Sequence, residues 1–204
     1  MDKHSIDKEE AQQPEDAHVR ASADIPATAP PMAGSTLPGE AARLAISGPA
    51  SGHHLHSFTL PDSAGRPVQL WQYLQRNNIV LFFHHGVDCP TCGAMLRELA
   101  AHRDAYHQEE TVVLAIGPDQ QVENQQLAAH LGHPFPLLSD PAGRIIAQQG
   151  FDTPSLIIAD RWGEIWAVWV GGTDHRLPSG QDLLQWLHFI EAQCPECTIV
   201  EWMD

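Results

Sequence analysis

The sequence predicts an α/β domain, in which helices flank a central mixed β-sheet, behind a disordered amino-terminal tail. Downstream of residue 53, apolar runs of strand length alternate with segments of helical periodicity, and such alternation predicts a sheet with parallel strands. The last two runs follow each other without a helix between them, which adds an antiparallel hairpin and makes the sheet mixed.

The 204 residues divide into three parts by composition. Residues 1–52 are rich in Ala, Pro, Gly, Ser and acidic residues, and they cannot bury enough apolar surface to offset the entropy of ordering. We therefore expect a disordered acidic, Ala-Pro-rich tail over 1–52. A core-bearing domain is expected over 53–192, and residues 193–204 form a short carboxy-terminal tail that carries a Cys-Pro-Glu-Cys sequence.

The first half of the domain contributes a hairpin, a buried strand and a helix. Residues 58–65 read as a short strand running into a turn, and residues 67–70 can pair back onto it. Residues 71–76 suggest a short helix. The continuous apolar run 79–83 is typical of a strand buried on both faces. Apolar residues at three-to-four spacing in 92–99 then predict a helix.

The second half continues the alternation and ends with a hairpin and a helix. In order, the pattern predicts a strand at 111–116, a helix at 122–131, a short strand at 135–138, a weak helix from 140 to 149, paired strands at 155–158 and 165–170, and a closing helix at 179–192. Because side chains alternate along a strand, Trp166 and Trp169 are expected on opposite faces of the sheet.

Charge and hydropathy exclude two classes of partner. The formal net charge is −15 and no stretch gathers Lys and Arg, so nucleic acid is not an expected partner. The amino terminus has no apolar segment of the kind found in export signals, and the apolar runs are too short to span a bilayer. We therefore expect a cytoplasmic protein with no membrane partner, and nothing in the sequence calls for a cofactor.

The four cysteines form two Cys-x-x-Cys pairs, Cys89/Cys92 and Cys194/Cys197. In a chain without an export signal, this spacing indicates redox or metal chemistry rather than structural disulfides. The first pair lies where a helix is predicted to begin, and there unpaired N–H groups and the helix dipole stabilise a thiolate. A redox-active dithiol is the favoured interpretation, and half of a zinc site is the alternative.

Several stretches together resemble one family. They are Phe58-Thr-Leu-Pro-Asp-Ser-Ala-Gly65, the run 80–83 followed by the first cysteine pair, Phe135-Pro-Leu-Leu-Ser-Asp-Pro-Ala-Gly143, and Thr153-Pro154-Ser155 with Asp160-Arg-Trp-Gly163 behind it. From about residue 56 to residue 189 the chain resembles a redoxin of the thioredoxin superfamily, close to the alkyl hydroperoxide reductase/thiol-specific antioxidant (peroxiredoxin) branch. The resemblance implies a thioredoxin-like fold and a thiol-dependent antioxidant oxidoreductase.

The resemblance also implies roles for individual residues. Thr153-Pro154 matches the Thr-Pro that places a cis proline against the dithiol in that superfamily. Peroxiredoxins have Thr-x-x-Cys where this chain has Cys89 and Cys92, and they use an Arg near the position of Pro154. These departures favour thiol–disulfide exchange, with Cys89 attacking and Cys92 resolving. With peroxide as substrate, the two roles are exchanged.

For two further groups of residues, the sequence is compatible with more than one role. Cys194 and Cys197 could act as a redox relay to the first pair, could bind zinc with ligands from elsewhere, or could be an inert pair. His84 and His85, just before the dithiol, could shuttle a proton, although such residues are more often polar groups of a loop.

The expected function is that of a thiol–disulfide oxidoreductase and antioxidant redoxin that cycles the Cys89/Cys92 dithiol. One alternative is a peroxiredoxin-like thiol peroxidase that reduces hydrogen peroxide or organic hydroperoxides. The other is a non-catalytic redox-sensing or zinc-binding interaction module. The expected partners are a disulfide-bearing protein or a hydroperoxide as substrate, and a thiol reductant such as a thioredoxin or a low-molecular-weight thiol.

Overall fold

The structure is a computed structural model that describes residues 53–172 and 174–192. The predicted tails at 1–52 and 193–204, and with them Cys194 and Cys197, lie outside the described residues. The described elements are β1 (Thr59–Pro61), β2 (Pro67–Gln69), a 3-10 turn (Leu70–Gln72), β3 (Asn78–Phe83), α1 (Pro90–Ala101), α2 (Arg103–Gln108), β4 (Thr111–Gly117), α3 (Gln121–Leu131), β5 (Leu137–Ser139), α4 (Arg144–Gln149), β6 (Ser155–Ala159), β7 (Ile165–Val170) and α5 (Gly180–Ala192).

A five-stranded mixed sheet in the order β5-β4-β3-β6-β7 forms the centre of the fold. Strands β3, β4 and β5 run parallel to one another, while β6 is antiparallel to both β3 and β7. Strand β7 therefore runs in the direction of β3. The segments that follow β3, β4 and β7 consequently meet at one edge of the sheet. The mixed α/β fold predicted from the sequence is confirmed.

Strand β3 is buried along its whole length and divides the core into two layers. Val80 and Phe82 pack into one layer with apolar residues of α1, α3 and α5, and Ile79 and Leu81 pack into the other with the β1–β2 hairpin and the face of α4. The period of two along the strand produces this division. With helices above and the hairpin below, the sheet has no solvated face along β3, which explains its unbroken apolar sequence.

The helix expected at residues 71–76 is wrong in extent. A 3-10 turn covers Leu70–Gln72, and the chain then turns, with Gln75 in the left-handed region at φ 67°. The N–H of Gln75 donates to the carbonyl of Arg161 at 2.6 Å instead of to a carbonyl one helical turn back. A tertiary hydrogen bond thus replaces the local one that a helix requires.

A β-bulge overturns the expected placement of the two tryptophans of β7. Ala159 pairs with Ile165 and Ile158 pairs with Ala167, so Trp166 is an extra residue in the ladder. A bulge shifts the alternation of side chains by one position. Trp166 and Trp169 therefore lie on the same face, where Trp166 contacts Phe189 edge-on and Trp169 contacts Trp186.

Helix α5 is anchored at its amino terminus by residues of α1 and α2. Glu98 accepts the N–H of Gly180 at 2.6 Å, and the hydroxyl of Tyr106 donates to the carbonyl of Gly180 at 3.2 Å. The ring of His102 lies so close to Gly180 that a Cβ there would approach its Nδ1 to 2.6 Å. Burial, and then the charge of Glu98, raise the pKa of Tyr106. Helix α2, which the sequence did not predict, supplies one part of this anchor, the hydroxyl of Tyr106.

Candidate functional site

The first cysteine pair forms the amino-terminal turn of α1. Cys89 is the N-cap residue with an extended backbone (φ −88°, ψ 109°), and Pro90 occupies the first helical position, which suits proline because no N–H is needed there. The N–H of Cys92 donates to Sγ of Cys89 at 3.5 Å. The thiol of Cys89 thus takes the place that a Ser, Thr or Asp side chain takes in an ordinary helix cap.

The two thiols differ in their surroundings. Cys92 is 2% exposed and packs in the core layer beneath α1, whereas Cys89 is only partly buried. Burial raises the pKa of the Cys92 thiol to about 12, and the neighbouring Cys89 and Asp119 add to this effect, while the backbone N–H of His85 opposes it. At neutral pH, Cys92 is therefore a protonated thiol.

Each thiol has its own imidazole partner. Nδ1 of His175 lies 3.6 Å from Sγ of Cys89, and Nδ1 of His85 lies 3.7 Å from Sγ of Cys92. The two imidazole rings stack on each other, with centroids 4.6 Å apart and an angle of 28° between their planes. His85 follows β3 and His175 follows β7, so the parallel direction of these strands brings them to the same edge of the sheet.

His84 supports the loop that leads into the dithiol. Its side chain is buried, and its Nδ1 accepts the N–H of Gly86 at 3.2 Å. Asp119 accepts the N–H of Val87 at 3.0 Å from the other side. Burial lowers the pKa of His84 to about 4, with a further contribution from His85. His84 is therefore a neutral structural group at pH 7, and among the described residues the imidazoles within hydrogen-bond distance of the two sulfurs are those of His85 and His175.

A cleft of about 250 Å³ opens beside the dithiol. Its lining combines the first turns of α1 with the loops before β6 and after β7, and it includes Thr91, Cys92, Met95, Pro154, His175 and Arg176. The Thr153-Pro154 bond is cis, and the Pro154 carbonyl accepts the N–H of Gly171 at 2.8 Å. Thr153 lies elsewhere: it lines a separate cavity of about 200 Å³ with His84 and His85.

The structure thus brings Cys89, Cys92 and Pro154 to one site and sets Thr153 apart from the cleft. His175 and Arg176 are new to the site, because no local spacing connects them to a motif 86 residues earlier. A correct prediction of the strand order would have identified them, because a loop that follows a strand parallel to β3 lies at the edge of the sheet that carries the dithiol.

Fold and site define the class of protein: a thioredoxin-like redoxin with a Cys-x-x-Cys pair at the start of its first long helix. Residues 51–168 match the AhpC/TSA family. Because the match covers more than half of the chain, the protein belongs to this family, and the resemblance stated from the sequence is confirmed.

The curated relatives agree with this assignment. A protein of two Mycobacterium tuberculosis strains, provisionally named a peroxiredoxin, is 28% identical over 94 residues, which are 46% of this chain and 59% of the relative. The chain thus spans about three fifths of the curated relatives it matches.

Solved structures share the fold at low sequence identity. The peroxidoxin BcpB from Mycobacterium tuberculosis superposes with a TM-score of 0.62 at 21% identity and covers 69% of this chain and 97% of that one. A yeast mitochondrial 1-Cys peroxiredoxin gives 0.61 at 13% identity, covering 70% and 76%. A structure from Chlorobium tepidum, provisionally named the thiol:disulfide interchange protein DsbE, gives a TM-score of 0.58 at 21% identity and covers 69% of this chain and 96% of that one.

Within residues 53–172 and 174–192, no helix is long and apolar enough to cross a membrane.

Proposed function

We propose that the protein is a thiol–disulfide oxidoreductase in which Cys89 and Cys92 cycle between dithiol and disulfide. The observation that carries this proposal is the pairing of each sulfur with its own imidazole nitrogen, at 3.6 Å and 3.7 Å, on one helical turn. A dithiol needs an attacking sulfur that a substrate can reach and a second sulfur close enough to resolve the mixed disulfide. The partly exposed Cys89 and the buried Cys92 meet both needs.

The reaction proceeds in two exchange steps. The thiolate of Cys89 attacks one sulfur of the substrate disulfide, forms a mixed disulfide and releases the other substrate sulfur as a thiolate, which takes up a proton. Cys92 then loses its proton and attacks Sγ of Cys89. This step forms the Cys89–Cys92 disulfide and releases the second substrate thiol. An external thiol reductant, a thioredoxin or a low-molecular-weight thiol, restores the dithiol.

The two histidines give each step a nearby proton acceptor. With its proton on Nε2, a neutral imidazole offers Nδ1 as the acceptor. His175 is then placed to accept the proton of Cys89, and His85 is placed to accept that of Cys92. The second transfer matters most because burial raises the pKa of Cys92 to about 12. The attack of Cys92 therefore depends on an adjacent base.

The cleft beside Cys92 supports a site for an extended polypeptide substrate. Pro154 lines it and, as a proline, has no N–H of its own to offer a neighbouring strand. Met95 adds an apolar wall, and flexible methionine side chains adapt to varied partners. A disulfide-bearing protein is therefore the substrate class that we assign to this cleft. Thr153, which precedes Pro154, lines the separate cavity with His84 and His85 and not this cleft.

Trapping of the mixed disulfide tests this order of events. The Cys92→Ser variant should accumulate a covalent complex with a disulfide-bearing protein such as insulin, because the attack of Cys89 proceeds and resolution does not. Cys89→Ser should form no complex. The Cys194→Ser/Cys197→Ser variant serves as background, so that neither carboxy-terminal sulfur contributes. Equal trapping by both single variants, or trapping by Cys89→Ser alone, would contradict the assigned roles.

A second candidate function is thiol peroxidase activity. Arg176 lines the same cleft as Cys92, together with Asp174, with which it forms an ion pair at 3.4 Å. Its guanidinium N–H groups can donate to the oxygen atoms of a peroxide. In this reaction Cys92 attacks the peroxide and becomes a sulfenic acid while water or an alcohol leaves. Cys89 then condenses with the sulfenic acid and releases water. Family membership supports the same candidate.

Stopped-flow mixing separates the two candidates. A peroxidase reduces hydrogen peroxide or an organic hydroperoxide much faster than a free thiol does, and Cys92→Ser abolishes that rate while Cys89→Ser leaves a first turnover. If neither thiol reacts faster than free cysteine, the peroxidase candidate fails. If insulin-disulfide reduction is absent as well, the non-catalytic redox-sensing or zinc-binding module is the remaining interpretation.

The same assays test a relay through the carboxy-terminal pair. Loss of steady-state turnover in the Cys194→Ser/Cys197→Ser variant, with Cys89 and Cys92 intact, would support such a relay.

A further inference from the structure

The side chains around the dithiol include three metal-ligand atoms that lie close together. Sγ of Cys89 and one ring nitrogen each of His85 and His175 all lie within 4.8 Å of one another. In a tetrahedral zinc site with Zn–S near 2.3 Å and Zn–N near 2.0 Å, a sulfur and a nitrogen ligand are ~3.5 Å apart. The separation between Cys89 and His175 is 3.6 Å, so these two atoms already stand at ligand spacing.

We propose that His85, Cys89 and His175 form a binding site for a zinc-class divalent ion, with tetrahedral coordination. One thiolate and two imidazoles are borderline-soft ligands that favour zinc over magnesium or calcium. The nearest further sulfur belongs to Cys92, 3.7 Å from Nδ1 of His85. Once it has lost its proton, Cys92 can fill the fourth position. The ligand set differs from the zinc alternatives considered for the two Cys-x-x-Cys pairs, because two of its three ligands are histidines that lie outside both pairs.

Binding requires a small rearrangement of the two rings. An imidazole binds a metal through a lone pair in its own plane, and rings stacked at 4.6 Å with 28° between them cannot both point at one ion. His85 is exposed and His175 is partly buried, so both rings have room to turn. Occupation of the site therefore separates the stacked pair: His175 keeps its nitrogen near the present 3.6 Å from Cys89, and the ring of His85 turns toward the ion.

The ion and the disulfide exclude each other. Zinc binding displaces the thiol proton of Cys89, and of Cys92 where it takes the fourth position, and involves no electron transfer. Formation of the Cys89–Cys92 disulfide by exchange with a small disulfide oxidises both thiols, reduces the reagent to two thiols and removes the sulfur ligand. Metal binding therefore holds the reduced state and shields Cys89 from electrophiles.

Zinc content of the full chain tests the proposal. In the Cys194→Ser/Cys197→Ser background, reduced protein that has been loaded with Zn²⁺ and freed of excess by gel filtration should carry one zinc per chain. Excess Mg²⁺ should not compete. Adding Cys89→Ser, His85→Ala or His175→Asn should weaken affinity at least about 100-fold. His188→Ala, at an exposed site beside Glu109, should leave it unchanged. Asn tolerates the left-handed backbone of His175, at φ 54°.

Cobalt substitution adds a spectroscopic measurement that does not depend on activity. Co²⁺ in the site should show the visible absorption of tetrahedral cobalt and a thiolate-to-cobalt band that disappears in Cys89→Ser. An octahedral spectrum, or zinc content unaffected by both histidine substitutions, would overturn the proposal. Thermal unfolding of the metal-free variants checks their folding. Because disulfide reduction is assayed with a chelator present, failure of the metal site leaves the proposed exchange reaction intact.

Discussion

The imidazole of His175, in the loop after the last strand, lies 3.6 Å from the sulfur of Cys89 at the start of the first long helix. The contact depends on the direction of β7 relative to β3 and on the loop that holds His175 at a left-handed φ of 54°. It places an imidazole nitrogen from a distant part of the chain beside the more exposed thiol.

We expect His175→Asn to slow the reduction of insulin disulfides roughly 10- to 100-fold, because the variant loses the base nearest to Cys89. The Asn side chain accommodates a left-handed backbone but has no basic nitrogen. Initial rates at pH 7 with a chelator measure the effect, and His188→Ala is the control. A rate within twofold of the parent protein would remove His175 from the mechanism.

The ring of His84 occupies the space that a side chain would need at Gly117, the last residue of β4. A Cβ added at Gly117 would approach Nε2 of His84 to 2.6 Å and Nδ1 to 2.7 Å, and moving the buried ring away would break the hydrogen bond from the N–H of Gly86 to its Nδ1. We expect Gly117→Ala to lower the free energy of unfolding by about 2 kcal/mol, measured by urea denaturation.

Gly93, inside α1, is the matched control for this substitution. Its Cβ would meet only Nη1 of Arg97, at 3.6 Å, so Gly93→Ala should raise the free energy of unfolding by about 0.5–1 kcal/mol through helix propensity. Equal effects of the two substitutions would contradict the steric explanation for Gly117.

The elements that local sequence determines were predicted well. The apolar run at β3, the helix after Cys92 and the hairpin of β6 and β7 each follow from periodicity within a few residues. The bulge at Trp166 was not predictable in this way, because it depends on the pairing of Ile165 with Ala159 on another strand. Likewise, Gln75 departs from a helix because of a hydrogen bond to Arg161.

The residues of the candidate site also fall into two groups, those that local sequence predicts and those that depend on tertiary structure. Cys89, Cys92 and the cis bond before Pro154 follow from short motifs, and the structure brings them together. His175 and Arg176 carry no motif, since only the strand order places their loop beside α1. His84 was interpreted first as a polar group of the loop and second as a proton shuttle, and the structure shows it buried, with its Nδ1 accepting the N–H of Gly86.

Asp62 stabilises the turn between β1 and β2 in a pH-dependent manner. Burial alone would raise its pKa, but the N–H groups of Arg66 and Ala64 and the Arg66 guanidinium lower it below the ordinary 3.8. A carboxylate whose folded pKa is lowered contributes stability above its unfolded pKa and loses it as the pH falls through the folded value.

We therefore expect Asp62→Asn to lower the free energy of unfolding by about 2 kcal/mol near neutral pH. The difference from the parent protein should stay constant down to about pH 5 and shrink as the pH falls below 3.8. Urea denaturation over a series of pH values measures it. Asp104→Asn is the control, because that side chain is 85% exposed. A difference independent of pH would contradict the assigned cause.

The aromatic cluster created by the bulge in β7 should dominate the attachment of α5. Trp186 contacts Trp169 and Phe189 edge-on, with ring centroids 5.8 Å and 6.2 Å apart, and only 8% of Trp186 is exposed. Trp186→Ala removes this packing and leaves a cavity, so we expect a loss of about 3–5 kcal/mol in the free energy of unfolding.

Trp162, which is 53% exposed in the turn between β6 and β7, provides the same chemical change outside the core. Its backbone N–H donates to Asp160 at 2.8 Å, and Trp162→Ala retains that hydrogen bond. We expect this substitution to change the free energy of unfolding by less than about 0.5 kcal/mol. Urea denaturation of both variants makes the comparison. A comparable loss in both would show that the placement of tryptophans by the bulge does not determine how strongly α5 is held.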